Sequence, residues 1–175
     1  IPQLFRYERA QRGRLREHFQ LNVDIVGEAS EVADAELLCV AVDIMRELGL
    51  THEDVRARVS DRRLATALIR SFGLPADAVQ FVFATFDKLG RTDRTHAMNS
   101  LAEKLAPFHS DPDLARGLIQ MKEAATSPSA LRIHAAEIGL PLSAEAETEL
   151  ARFERYIAHC DALGIGHWIQ LDLSI

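Results

Sequence analysis

The chain has 175 residues, 47% hydrophobic and 26% charged, which suits one ordinary domain and excludes a disordered tail or a fibre. Its net charge of −6 excludes a general attraction to nucleic acid. No apolar run approaches the ~20 residues of a membrane span, and the first residues carry no export signal.

Residues 4–9 (LFRYER) alternate aromatic and polar side chains and predict a strand. AQRGR at 10–14 predicts a loop, with Gly13 free to take a tight conformation. Residues 15–26 alternate throughout. Leu15, Phe19, Leu21, Val23 and Ile25 fall on one face; Arg14, Arg16, His18, Gln20, Asn22 and Asp24 fall on the other. Glu17 is the one charge on the apolar side. The two runs together predict a long antiparallel hairpin.

Ser30 is placed to cap a helix over about 31–49, with Glu31 and Asp34 in its first turn and an apolar stripe of Leu37, Ala41, Ile44 and Leu48. VRARVS at 55–60 predicts another strand, and Asp61 a cap for a short helix ending near Gly73. After Pro75, strand signals vanish for about ninety residues. Val79, Val82, Phe83 and Phe86 mark one helix, ended by Gly90, and Leu101 and Leu105 another, stopped by Pro107. Asp111-Pro112 and Ser127-Pro128 each pair an N-cap with proline at the first helical position. Ser143 starts a long helix with Ala146, Leu150, Phe153, Ile157 and Cys160 at heptad-like spacing. Residues 168–175 alternate once more as a strand.

The predicted fold class is therefore α+β: an α/β part over 1–74, an all-helical insertion over 75–165 and a strand returning to the core over 166–175. The start without Met and the stop inside a strand suggest an internal piece of a longer protein. Cys39 and Cys160 lie far apart in sequence with no CxxC, which fits a reducing, cytoplasmic setting with buried thiols.

The charge is unevenly spread. Residues 1–27 hold Arg6, Arg9, Arg12, Arg14 and Arg16 against Glu8, Glu17 and Asp24, a net of +2, so the remainder carries −8. A specific anion should bind at that arginine-rich segment. Arg6 and Glu8 share one strand face; Arg14, Arg16, Gln20 and Asp24 share a face of the partner strand. Arginine offers a planar fork of donors that suits phosphate or carboxylate, and Gln and Asp beside it can hold an amine or an imidazole. Such a surface can take a nucleotide phosphate beside a small zwitterion. The alternative is a solvated sheet face with Arg–Glu cross-strand pairs.

Residues 5–27, FRYERAQRGRLREHFQLNVDIVG, resemble motif 2 of the class II aminoacyl-tRNA synthetases in its histidyl-tRNA synthetase form, Phe-Arg-x-Glu-Arg-Pro-Gln-x-Gly-Arg-x-Arg-Glu followed by two aromatic or His positions and Gln. Further landmarks follow in order. Asp34-Ala35-Glu36 resembles the family's helix-opening Asp-Ala-Glu, and Val59-Ser60-Asp61-Arg62-Arg63 its strand-end Asn-Asp-Arg-Arg. Phe86-Asp87-Lys88-Leu89 is similar to its Asp-Lys-Leu-Asp-Lys segment, and Leu171-Asp172-Leu173-Ser174 to the strand before its histidine-specific motif. There are departures: Ala10 stands for the usual proline, His18-Phe19 inverts the commoner order, and Gly90-Arg91 replaces Asp-Lys.

The resemblance implies a class II antiparallel-sheet catalytic core carrying a helical insertion, with motif 1, the histidine-specific motif, motif 3 and the anticodon domain outside this chain. It implies that Arg6 holds the α-phosphate of ATP, Glu8 the adenine side and Arg14 the phosphates, while Gln20 and Asp24 lie by the histidine substrate. Arg6 and Arg14 would be the catalytic pair. It also implies Mg²⁺, tRNA(His), a homodimeric full-length enzyme free of membrane, and a fragment inactive by itself. The reaction would activate histidine as histidyl-adenylate and pass it to tRNA, chemistry that rests on positioning and charge neutralisation.

Other candidates carry less. His18 either assists the site or is an exposed strand histidine. His52, His96, His109, His134, His159 and His167 show no zinc spacing, so no metal ligands are assigned. Cys160 reads as core, and Lys88 as a favourable charge at a helix end. Residues 76–165 carry a net charge of −4, which does not favour contact with a tRNA acceptor stem and leaves the insertion as a scaffold. Two other functions compete: the non-catalytic, histidine-sensing regulatory subunit of ATP phosphoribosyltransferase, a synthetase paralogue, and a helical binding module that needs no ATP. That paralogue tends to lose the Glu-Arg pair and ATP-facing arginines that are present here as Arg6, Glu8, Arg9 and Arg14.

Overall fold

The structure is a computed structural model, and it describes residues 1–7, 9, 12–13 and 15–174. The first two strands, β1 (Gln3–Phe5) and β2 (Glu17–Phe19), pair antiparallel with Leu4 opposite His18. The Arg6 amide donates to the Arg16 carbonyl (2.8 Å) and the Gln20 amide to the Pro2 carbonyl (3.2 Å), adding a rung at each end. The hairpin thus forms as expected but is shorter than the alternation over 4–9 and 15–26. Residues 20–29 lie in no strand. An extended run pairs only as far as its neighbour reaches, and β1 offers no partner for Leu21 to Val26. The alternation survives, yet its apolar side faces solvent: Phe5 is 71% and Phe19 73% exposed.

Helix α1 (Glu31–Glu47) follows, with Ser30 at the N-cap position but without a capping bond from its side chain. The expected stripe of Leu37, Ala41, Ile44 and Leu48 is not the buried one. Ala35 and Val42 are buried, with Leu38 and Met45 packed beside them, while Leu48 is 68% exposed. Apolar residues occupy both flanks of α1, and 3.6-residue periodicity cannot say which flank a neighbour will cover. The neighbour is α7 (Ala144–Ala162), which lies along α1 and α2 (Arg62–Ser71) and buries Ala146, Leu150, Phe153, Tyr156 and Cys160. Tyr156 takes the place expected for Ile157, which is half-buried.

Between α1 and α2 lies β3 (Ala57–Val59), and the chain returns to it as β4 (Ile169–Leu171) after a 3₁₀ turn at Gly166–Trp168. This pair is parallel, with Arg58 opposite Gln170. Among the described residues the antiparallel pairing expected of the core is seen in β1–β2; the helices from α2 to α7 separate the strands of the second pair widely enough for a parallel crossover.

The helical stretch contains α3 (Ala76–Phe86), α4 (Arg94–Leu105), α5 (Leu114–Ala124) and α6 (Pro128–Glu137), and then α7. Sequence capping signals mostly act as expected. Asp61 accepts from the Leu64 amide (3.0 Å), Ser127 from Ala130 (3.1 Å) and Ser143 from Ala146 (3.1 Å). Asp111 does not cap: its carboxylate takes the Asp113 amide two residues on (2.9 Å), and α5 begins only at Leu114. That local Asx turn competes with the helix start. Ser143 also receives a bond from the Ser71 hydroxyl at 3.2 Å, tying α7 to the end of α2. Ser143→Ala is expected to lower stability by about 1 kcal/mol and the melting temperature by about 2–4 °C in a thermal scan.

One buried core runs from Ala35 to Leu173, through Leu68, Val82, Leu118 and Leu150, with no break at the expected boundary near residue 75. None of the described hairpin residues belongs to it. Both cysteines are free thiols, with Cys160 inside this core. Among the described residues no single helix is long and apolar enough to cross a membrane.

Candidate active-site hairpin

The antiparallel register brings two of the predicted site residues into contact. Arg6 Nη2 donates to Gln20 Oε1 at 3.2 Å, and Gln20 Nε2 donates to Asn22 Oδ1 at 2.8 Å. The three side chains form a hydrogen-bonded line along the even-numbered face, as the period of a strand requires. Gln20 spends its amide on both neighbours, so the pose of Arg6 depends on it. Arg6 itself is exposed and makes no ion pair among the described residues, so most of its fork of donors stays open to an incoming anion. Arg16, opposite Arg6, lies over the Tyr7 ring at 5.3 Å. His18 is half-buried opposite Leu4.

Glu8 and Arg14 lie outside the described residues. Asp24 is exposed beyond the paired part of β2, with no polar contact to Gln20. Glu17, the charge on the apolar side, accepts a hydrogen bond from the Gln3 side-chain amide opposite Phe19. Asn22 was visible in sequence as part of the polar face; its bond to Gln20 was not, because alternation places residues on a face without saying which of them touch.

Two of the downstream landmarks make structural contacts in this fold. Asp61 caps α2 and pairs with Arg152 of α7, which also bonds Glu149 at 2.7 Å. Burial alone would raise the Asp61 carboxyl; the Leu64 amide and Arg152 outweigh it and hold it below the usual carboxylate range. Asp172, just past β4, bonds Arg58 Nε at 2.9 Å and the Ser174 amide at 2.8 Å, and faces Lys122 at 3.4 Å. Burial opposes ionisation there too, but these donors win and pull its pKa down to about 2.

A carboxylate held below its unfolded value adds stability that is complete above about pH 4 and lost as pH falls through about 2. Asp172→Asn is therefore expected to be about 2 kcal/mol less stable at pH 7 and to show a flatter loss of stability between pH 4 and 2 in urea titrations.

The residues at the hairpin suit a phosphate: an open guanidinium, with further arginines nearby in sequence. No group of three or more His, Cys, Asp or Glu among the described residues is arranged to hold a metal ion. A Mg²⁺ that keeps several waters and rides on phosphate oxygens needs no such cage.

An arginine-bearing hairpin before a helical body and a parallel strand pair makes this an α+β protein. The same fold occurs in the crystal structure of histidyl-tRNA synthetase from Nostoc sp. PCC 7120, with a TM-score of 0.69 and 16% identity over 85% of this chain and 34% of that one. The family model described as histidyl-tRNA synthetase matches residues 1–175, and the chain belongs to that family. Among curated relatives, the histidine–tRNA ligase of Haloarcula marismortui is 44% identical over 99 residues, 57% of this chain and 22% of that protein. The chloroplastic/mitochondrial histidine–tRNA ligase of Arabidopsis thaliana is 28% identical over all 175 residues, 33% of its length. The chain thus spans about a third or less of the length of these relatives.

Proposed function

We propose that this chain is part of a histidine–tRNA ligase that activates histidine with ATP and transfers it to tRNA(His). The observation that carries the reading is the Arg6–Gln20 contact: two motif 2 positions with separate substrate roles meet on one face, and among the described residues no carboxylate competes for the arginine. In this proposal Arg6 neutralises the α-phosphate, with Glu8 on the adenine side and Arg14 on the phosphates. Gln20 and Asp24 hold histidine so that its carboxylate oxygen lines up with the α-phosphorus. A new P–O bond forms there as the bond to the β-phosphate breaks, releasing pyrophosphate and leaving histidyl-adenylate. A terminal ribose hydroxyl of tRNA then attacks the carbonyl carbon, and AMP departs. Mg²⁺ would supply charge neutralisation on the leaving phosphates.

The same proposal covers a homodimeric, cytoplasmic parent protein. In it residues 1–74 and 166–175 belong to the class II catalytic core, and 75–165 form the helical insertion. The deciding experiment is histidine-dependent ATP–pyrophosphate exchange on the intact protein. Exchange that requires histidine supports the ligase. Histidine binding without exchange would sink it and leave the regulatory paralogue of ATP phosphoribosyltransferase; tight binding of a macromolecule without ATP dependence would leave the binding module.

A further inference from the structure

The hairpin is not the only place where cations gather. A cavity of about 720 Å³ opens where β3 and β4 end, between the turn after α3 and the side of α5. Ser60 and Asp172 follow directly on the last residues of the two strands and line it. The carboxyl ends of parallel strands are where open α/β sheets present side chains to ligands. Arg58, Lys88, Arg91 and Lys122 line the cavity against Asp87 and Asp172, a net of +2 in a chain of −6.

The charges differ in what they are doing. Asp172 and Lys122 form the floor, their side chains 13% and 17% exposed, and Asp172 also holds Arg58. The Lys122–Asp172 separation of 3.4 Å is long, so Lys122 keeps donors to spare. Lys88 and Arg91 stand on one turn above, joined by the Arg91 amide to the Lys88 carbonyl (2.8 Å), and neither has an ion-pair partner among the described residues. Lys88 is therefore more than a charge at a helix end. Two unpaired cations on one turn over a third, in a concave site, raise a positive potential that an anion would relieve. Gly90-Arg91 sharpens this, since the family pattern has an acid where Gly90 stands.

We propose that this cavity is a second anion site, in which Lys88, Arg91 and Lys122 grip a phosphate group, the Ser60 hydroxyl adds a donor and Asp172 keeps Arg58 and Lys122 in position. The polar, cationic lining selects phosphate chemistry, and the phosphate belongs either to a small phosphorylated molecule or to an RNA backbone. The site does not depend on the ligase reading, because none of its residues lies on the hairpin.

The test is calorimetric titration of the intact protein carrying Arg6→Ala and Arg14→Ala, which removes both hairpin arginines assigned to phosphate. Inorganic pyrophosphate is one probe and a 12-nucleotide single-stranded RNA the other. Saturable binding that weakens about tenfold or more in Lys88→Ala/Arg91→Ala, with unchanged circular dichroism, is the expected result. Both positions are exposed, so the fold is not at stake. RNA binding that competes with pyrophosphate and whose salt dependence flattens in the double variant names a nucleic-acid backbone. Pyrophosphate binding alone names a small phosphorylated ligand. Equal affinity in the double variant and its parent overturns the proposal, as does failure of both probes to bind at low salt.

Discussion

Arg6→Ala is expected to lower histidine-dependent ATP–pyrophosphate exchange by about 10²–10³-fold, the loss typical of removing one preorganised donor from a developing charge. The guanidinium is positioned by the rung between Arg6 and Arg16 and by Gln20 Oε1, and among the described residues it has no carboxylate partner that would have to be displaced. Its donors should therefore act on the transition state without reorganisation. Arg6→Lys keeps the charge but loses the fork, so it should recover only part of the rate. Because Arg6 is exposed and outside the core, thermal stability should stay within about 0.5 kcal/mol of the parent. A variant that exchanges pyrophosphate at the parent rate would remove Arg6 from the chemistry.

Phe153→Ala is expected to destabilise the protein by about 3–5 kcal/mol in urea unfolding, a large share of the roughly 5–15 kcal/mol that holds a domain together. Phe153 is 2% exposed on the face of α7 that covers α1 and α2, with the Tyr156 ring 5.5 Å away. Removing the ring opens a cavity between elements already fastened by Arg152, Asp61 and the Ser143–Ser71 bond, so the helices cannot simply collapse into it. Phe153→Leu, which keeps most of the volume, should lose less than half as much. The two variants differ in cavity size and not in charge, so a similar loss in both would mean that the packing at α7 is not what holds this region.

The sequence by itself determined the local grammar of this protein. Alternation alone places Arg6 and Gln20 on the polar face, and Asp61, Ser127 and Ser143 begin the helices their positions predict. These outcomes depend on periods of two and 3.6 residues and on one side chain reaching one amide, so nearby residues suffice. The candidate site was legible to the same extent, because Arg6, Gln20 and Asn22 lie within one short hairpin. Only the tertiary structure decided which flank of α1 is buried, because that depends on α7, more than a hundred residues later. It decided that the returning strand runs parallel to β3, and it assembled the cationic cavity from Arg58, Lys88, Lys122 and Asp172, which no spacing rule connects. The hairpin's apolar face and the outer flank of α1 carry strong periodic signals yet stay uncovered. Periodicity marks a surface as fit for burial; only a packed neighbour buries it.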